Sequence, residues 1–186
     1  LNYDTTLARV ARLVVPSLAD WCRVYMRAED GSIRRVAVAF ADPAKAALDR
    51  RLLEYPPSPV SAASAIARAL DSGQSQLTPE IPDEYVQSIA QDAEHLALLR
   101  QLDFRSSMVV PLRARGRVLG ALAFFMAESG RRYGPDDLVL GEDLAGRVAM
   151  SVDNARLYEE LTDAVRVRDQ FLAAAAHDLK TPLTAI

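Results

Sequence analysis

His177 and the adjacent Asp178 are the side chains of this sequence best suited to chemistry. A neutral imidazole has a free nitrogen lone pair that can attack a γ-phosphate. A neighbouring carboxylate can hold the proton of the other nitrogen and stabilise the imidazolium that forms. A His-Asp pair by itself is also common on the surface of helices. The residues around the pair therefore decide between the two interpretations.

The pair lies in a regular, mostly apolar run, Phe171-Leu172-Ala173-Ala174-Ala175-Ala176-His177-Asp178-Leu179-Lys180-Thr181-Pro182-Leu183. If Leu172 faces a partner helix, His177 lies five residues further on and faces solvent, where an ATP site and then a receiver protein can reach it. The run resembles the H-box of sensor histidine kinases, Phe-(Leu)-x-x-x-x-His-(Glu/Asp)-(Leu)-(Lys/Arg)-(Thr/Asn)-Pro-Leu. It matches that pattern at each position.

The resemblance implies roles for these residues. His177 would be the phosphoacceptor, Asp178 the base, and Thr181 would position water when the kinase acts as a phosphatase of its receiver. Pro182 would supply the family's helix bend. The full-length kinase would use ATP and Mg, phosphorylate itself on histidine and pass the phosphoryl group to a response-regulator receiver domain. The family's helical-bundle and ATP-binding domains would follow Ile186, so we expect a fragment that is inactive alone.

A seven-residue repeat runs along the same helix. Its positions are Leu144, Ser151, Tyr158, Val165, Leu172, Leu179 and Ile186. Such a repeat keeps one seam facing a partner, and it predicts a parallel coiled coil between two copies of the chain. A long amphipathic helix packed on its own sheet would explain the stripe only as far as about Val152. The repeat therefore favours a homodimer.

The rest of the sequence predicts an α+β domain with an antiparallel sheet and helices packed on it. The first predicted elements are a helix capped by Thr5 and Thr6 that ends at Pro16, and a hairpin of strands Trp21–Ala28 and Ile33–Phe40. Helices follow over 43–54, 62–72 and 83–102, with a rigid connector at 56–59. The last predicted elements are a hairpin of central strands, Ser106–Arg113 and Arg117–Met126, and a long helix from Pro135. In the second predicted strand, Val36, Val38 and Phe40 share one face.

Two stretches resemble GAF domains. They are Arg100-Gln101-Leu102-Asp103-Phe104-Arg105-Ser106-Ser107-Met108-Val109-Val110-Pro111-Leu112, continued by Arg115-Gly116-Arg117-Val118-Leu119-Gly120-Ala121-Leu122, and Tyr133-Gly134-Pro135-Asp136-Asp137-Leu138 leading into Asp153-Asn154-Ala155-Arg156-Leu157-Tyr158. The resemblance covers about Tyr3 to Leu161. It implies a sheet of about six antiparallel strands with a ligand pocket on one face, under the middle helices.

Few residues of this domain are candidates for binding a cofactor, and the cofactor-binding residues stay unknown. Cys22 could hold a covalent bilin, but a buried small side chain is the simpler interpretation. His95 could ligate haem, but its neighbours predict an exposed helical position. Arg113, Arg115 and Arg117 could contact an anion, although a solvated turn explains them as well. The cyclic-nucleotide signature Asn-Lys-x-Phe-x-Asp-Glu has no clear match.

Composition narrows the function classes. The 186 residues carry a net charge of −3, which gives no basic footprint for nucleic acid. No apolar run approaches the roughly 20 residues of a membrane-spanning helix. One cysteine and no zinc-type Cys/His cluster fit a cytoplasmic protein without disulfides or a bound metal. A transcription regulator would need a basic helix-turn-helix or an ATPase segment, and neither is found.

The sequence thus predicts two parts, a GAF sensory domain at 1–161 and the start of a dimerisation and histidine-phosphotransfer helix at 162–186. The expected function is sensory: the domain would pass a signal to His177 in a phosphorelay of a two-component system. The alternative is a GAF module that binds no ligand and serves as a dimerising spacer below another sensor. The sequence does not separate these two possibilities.

Overall fold

The computed structural model describes the backbone of residues 3–28, 30–52, 54–55 and 64–183 and the side chains within these ranges except at 3, 171 and 173–183. The helices are α1 (Tyr3–Val14), α2 (Lys45–Leu52), α3 (Ala65–Ser72), α4 (Asp83–Ile89), α5 (Ala93–Leu102) and α6 (Pro135–Leu183). The strands are β1 (Trp21–Arg27), β2 (Ile33–Phe40), β3 (Gln76–Thr78), β4 (Ser106–Ala114) and β5 (Arg117–Met126). The α+β class is confirmed.

The strands form one antiparallel sheet in the order β2-β1-β5-β4-β3, with helices on both faces. Alternate residues of β1 point to opposite sides, since successive side chains of a strand do so. Cys22, Val24 and Met26 belong to the core shared with α1 and α6, whereas Trp21 and Tyr25 belong to the core under α2–α5. The sheet is therefore the middle layer of three.

Both predicted hairpins are confirmed. In the β4–β5 turn, Arg115 and Gly116 have positive φ values of 48° and 77°, as a two-residue turn of mirror-image type requires. The ladder closes at the pair Ala114 and Arg117. β4 and β5 are internal strands, as expected, because β3 and β2 form the sheet edges.

Several predicted details are wrong. Helix α1 begins at Tyr3, so Thr5 and Thr6 lie inside it, and Asp4 supplies the first-turn carboxylate that favours a helix start. The helix expected over 83–102 is two helices, because Asp92 caps a new start by accepting from the His95 backbone N–H at 2.7 Å. The described sheet has five strands rather than about six, and the three-residue β3 was missed.

A bulge corrects the predicted pattern of β2. The pairing shifts between Val24 and Tyr25, so that Tyr25 lies opposite Arg35 while Val24 lies opposite Ala37. An extra residue in one strand reverses which side chains share a face. Val36 therefore packs with the α1 and α6 core and Phe40 with the other core, although strict alternation predicts one face for both.

Helix α6 is anchored at its beginning and leaves the sheet further on. Gly141 permits a close approach to β4, since a β-carbon there would lie 2.7 Å from Met108 Cε. Val152 and Asp153 are the last buried side chains on α6 among those described. The prediction that the sheet explains the apolar stripe only as far as about Val152 is confirmed. No helix in the described part of the chain has both the length and the apolar character needed to cross a bilayer.

Candidate ligand-binding site

A cavity of about 680 Å³ lies between the sheet and helices α2–α5. This is the face on which the sequence resemblance implies a pocket. Side chains from β1, β2, β4 and β5 form its floor, and helices α3–α5 contribute to its walls. The aromatic and charged lining residues are Trp21, Arg23, Tyr25, Arg34, Arg35, Tyr55, Tyr85, His95, Phe104 and Phe125.

Aromatic rings form the apolar part of the site. Trp21 and Phe125 are paired across β1 and β5, and their rings stack at 3.7 Å between centroids. Phe104 meets Trp21 edge-on at 5.9 Å. Rings in these arrangements gain from both burial and quadrupole alignment. The result is a rigid apolar wall beside the arginines of β1 and β2.

Arg23 and Arg35 share one buried carboxylate. The side chain of Asp49 on α2 is 5% exposed and accepts from Arg23 Nη2 at 2.6 Å and from Arg35 Nη1 at 3.3 Å. Arg35 reaches this side because of the bulge in β2. The Arg23 guanidinium also lies 4.9 Å from the centre of the Trp21 ring, a cation–π distance.

The two guanidinium groups respond differently to this environment. Burial opposes the charge on Arg23, but Tyr25 and Asp49 outweigh it and raise the pKa of Arg23. Burial, together with the positive charge of Arg23, lowers the pKa of Arg35, and Asp49 and Tyr25 only partly offset this. One carboxylate thus does not fully compensate two arginines.

His95 is not exposed, which contradicts the sequence prediction. It is buried at 9% exposure, its ring stacks on Tyr55 at 4.4 Å, and Nδ1 accepts from the Gln91 backbone N–H at 3.1 Å. Burial lowers the pKa of His95, and the charge of Arg23 adds to this, while Asp92 opposes it. Charged neighbours in the sequence misled the prediction, since they lie on the outer side of a helix whose inner side carries His95.

The hydrogen bond to Nδ1 decides what His95 can do. An accepting Nδ1 in a neutral imidazole assigns the proton to Nε2, which is then a donor. A haem axial ligand would need the opposite arrangement at Nε2, with its lone pair free for iron. In this state His95 is better suited to donate a hydrogen bond to an acceptor in the cavity than to bind a metal.

Cys22 and the turn arginines lie away from the cavity. Cys22 is fully buried in the core on the opposite face of the sheet, where burial raises the pKa of its thiol. The interpretation of Cys22 as a buried small side chain is confirmed. Arg113 donates to the Gly73 carbonyl at 3.2 Å, Arg115 donates to Asp153 at 2.7 Å, and Arg117 is exposed. None of the three arginines is among the cavity residues.

Two buried donors on residues that line the cavity have no hydrogen-bond partner among the described residues. They are the indole Nε1–H of Trp21 and the Nε–H of Arg23. Buried polar groups of proteins are almost always hydrogen-bonded, so each such exception needs an explanation. Sequence reasoning missed both residues as site candidates, because a Trp and an Arg at alternate strand positions carry no motif. Within the described residues, no group of three or more His, Cys, Asp or Glu side chains could hold a metal ion.

The predicted phosphotransfer residues belong to α6. His177, Asp178, Thr181 and Pro182 lie on its helical backbone, which extends to Leu183, and their side chains lie outside those that the structure describes. The connector at 56–59 also lies outside the described residues. From Val152 to His177 the helix advances roughly 38 Å, at 1.5 Å per residue. His177 therefore lies far beyond the part of α6 that packs on the sheet.

The fold places the chain in a class of α+β domains that carry a cavity on one face of an antiparallel sheet. Residues 2–152 match the model of the GAF domain, and the chain belongs to this family.

Its relatives include signalling proteins. The circadian input-output histidine kinase CikA of Synechococcus elongatus is 24% identical over 118 residues, which is 50% of this chain and 16% of that protein. The chain therefore matches only a small part of that relative's length. Among solved structures, a GAF domain/HD domain protein of Geobacter sulfurreducens aligns with a TM-score of 0.63 at 16% identity, over 84% of this chain and 95% of that one.

A domain assigned to a two-component sensor histidine kinase of Sinorhizobium meliloti aligns with a TM-score of 0.59 at 13% identity. That alignment covers 87% of this chain and 99% of the other. At these identities the structural likeness establishes the shared fold.

Proposed function

We propose that this chain is the sensory part of a two-component sensor histidine kinase and that it passes the state of the GAF cavity to the phosphoacceptor His177. The observation that supports this most directly is the continuity of α6, which packs on β4 at its beginning and extends as one helix through the H-box. A change in the sheet can therefore act on His177 without crossing a flexible joint.

The phosphotransfer follows from the H-box resemblance. In the full-length kinase, a nitrogen of the neutral His177 imidazole attacks the γ-phosphorus of Mg-bound ATP, and ADP leaves. Asp178 holds the proton on the other nitrogen and stabilises the imidazolium. The phosphoryl group then passes to an aspartate of a cytoplasmic response regulator. In the reverse activity, Thr181 positions the water that hydrolyses the receiver phosphate.

The link between the sheet and α6 has a specific contact. Arg115, in the β4–β5 turn, donates to Asp153 at the point where α6 leaves the sheet. Strand β5 of the same hairpin also carries Phe125, which lines the cavity. A shift of the hairpin therefore moves both the cavity wall and the Arg115 contact with α6. We expect the signal to bias the paired α6 helices of a homodimer between two packings that differ in access to His177.

The test is autophosphorylation of the full-length protein that carries this chain. Incubation with [γ-32P]ATP and Mg should label the protein with an acid-labile, alkali-stable phosphate, and His177→Gln should lose the label. The control is Arg117→Gln, at an exposed residue away from the cavity, which should keep the label. Labelling that survives His177→Gln would contradict the proposed phosphoacceptor.

The alternative is a dimerising spacer that binds no ligand. The observation that favours it is the exposed apolar surface of α6 beyond the sheet, where Tyr158 is 67% and Leu161 63% exposed. Such a helix can pair whether or not the cavity is filled. Native mass spectrometry and an absorption scan separate the two. A mass that is lost on denaturation identifies a ligand, whereas a dimer of bare polypeptide mass favours the spacer.

A further inference from the structure

The charges around the cavity do not balance. Among the described residues that line it there is no Asp or Glu, while Arg23, Arg34 and Arg35 all contribute. Arg34 is paired with Asp4 of α1, the helix that packs on the opposite face of the sheet. Arg23 and Arg35 share the single carboxylate of Asp49, which leaves one positive charge over. The side chains of both arginines are largely buried, at 11% and 16% exposure.

The hydrogen-bonding groups of these residues also favour an anion, because the groups without a partner are donors. The indole N–H of Trp21 and the Nε–H of Arg23 are buried and lack partners among the described residues. His95 also lines the cavity, and its accepting Nδ1 assigns the proton to Nε2. A neutral acceptor such as water carries no charge to balance the second guanidinium. An acceptor with a negative charge satisfies both requirements at once, because a planar carboxylate matches the fork of a guanidinium.

The rest of the cavity lining favours a ligand whose remaining part is apolar and flat. Leu99, Phe104 and Val109 contribute apolar side chains to the lining, and the Trp21 ring lies stacked between Phe40 and Phe125. The volume of about 680 Å³ falls in the usual range for small-molecule sites. A one-ring or two-ring aromatic molecule fits such a space, whereas a highly charged ligand would leave surplus negative charge beside Asp49.

We infer that the cavity binds an aromatic monocarboxylate, with the carboxylate held by Arg23 and Arg35 and the ring against the apolar side chains that line the cavity, Leu99 and Phe104 among them. The inference rests on the proposed sensory function in that it names the ligand class for the same site. Trp21 is the only tryptophan of the chain, so its indole N–H is a single, unambiguous reporter of binding.

The experiment compares acids with their neutral amides. Benzoate, 2-naphthoate and 4-phenylbutyrate are titrated beside benzamide, 2-naphthamide and 4-phenylbutyramide by isothermal calorimetry and by ¹H–¹⁵N NMR of the one indole cross-peak. At least one acid should bind about tenfold more tightly than its amide, and it should shift the Trp21 indole signal.

Variants at the arginines locate the site. Arg35→Gln should weaken binding of the acid about tenfold and leave binding of the amide unchanged, because it removes the surplus charge. Arg117→Gln, an exposed arginine of the β4–β5 turn away from the cavity, should change neither affinity. Asp49→Asn should tighten binding of the acid by raising the net positive charge. Circular dichroism melting verifies that each variant folds.

Three results would overturn the inference: no acid binds at 5 mM, acid and amide bind equally, or binding survives Arg35→Gln unchanged. None of them affects the labelling of His177, so a failure of the ligand assignment can be told apart from a failure of the proposed function.

Discussion

Single buried residues determine what the cavity of this GAF domain can accept. The Asp49 carboxylate is almost inaccessible to solvent, and burial of an ion pair costs solvation that the pairing must offset. Two arginines on one carboxylate are therefore a weak source of stability, which agrees with the inferred role of this cluster in binding a carboxylate. His95 extends this reasoning, since it lines the same cavity as a neutral ring.

The buried His95 predicts a pH dependence of stability. Its pKa is lowered in the folded protein, mainly by burial, relative to about 6.5 in the unfolded chain. Between these two pKa values the unfolded state binds more protons than the folded state. The contribution of neutral His95 to the free energy of unfolding is therefore fully present above pH 6.5, and it is lost as the pH falls through the pKa of His95 in the folded protein. The slope contributed by His95 cannot exceed about 1.4 kcal/mol per pH unit.

Urea unfolding at pH 7.5, 6.5 and 5.5 measures this effect as a difference between the wild type and His95→Gln. The substitution should flatten the decline toward pH 5.5, while every other titrating group cancels in the comparison. Parallel curves for the two proteins would show that His95 is not held neutral by the fold.

At the scale of elements, the β4–β5 hairpin and α6 are joined by one ion pair. Asp153 is 4% exposed in its side chain, and Arg115 reaches it from a turn with a positive φ. A buried carboxylate without its partner loses the hydrogen bond that offsets its desolvation. The contact therefore helps to fix where α6 leaves the sheet.

Arg115→Ala should lower the free energy of unfolding by about 1 kcal/mol, because a charged hydrogen bond is lost while the exposure of the guanidinium screens its charge. The exposed Arg117→Ala serves as the control and should change stability much less. A double-mutant cycle with Asp153→Asn isolates the interaction. A coupling energy near zero would mean that the contact does not stabilise the junction.

At the scale of the whole molecule, the described part of α6 carries exposed apolar side chains beyond the sheet. Tyr158, Val165 and Leu172 are 67%, 41% and 56% exposed, and they follow the seven-residue seam. Exposed apolar stripes of this kind mark interaction surfaces. A second copy of the chain, aligned in parallel, would bury the stripe and bring two copies of His177 to the same level.

Sedimentation equilibrium tests the proposed dimer. Val165→Glu should weaken dimerisation about tenfold or more, because two like charges would meet across the seam. Gln170→Glu adds the same charge five residues on, at a position that faces away from the seam, and should leave the dimer intact. A wild-type chain that sediments as a monomer would contradict the coiled-coil prediction.

Local patterns in the sequence were enough for most elements of the fold. The alternation of apolar residues and the Arg115-Gly116 turn define the β4–β5 hairpin, and Pro135 with Asp136 and Asp137 marks the start of α6. The predicted end of α3 at residue 72 is also confirmed, because Gly73 follows with a left-handed φ of 66°, which favours glycine. Each of these features depends on neighbours along the chain, which is why the sequence alone determines them.

The binding site depended on contacts between residues that are distant in the chain. The bulge in β2 turns Arg35 toward the cavity, and it exists only in the pairing of β1 with β2. The burial of His95 depends on how α5 packs over Tyr55 and the sheet, which the charges beside it in the sequence do not reveal. The sequence thus determined most of the elements and the phosphoacceptor candidate. Only the tertiary structure decided which side chains meet in the cavity, because side-chain burial is set by packing between elements.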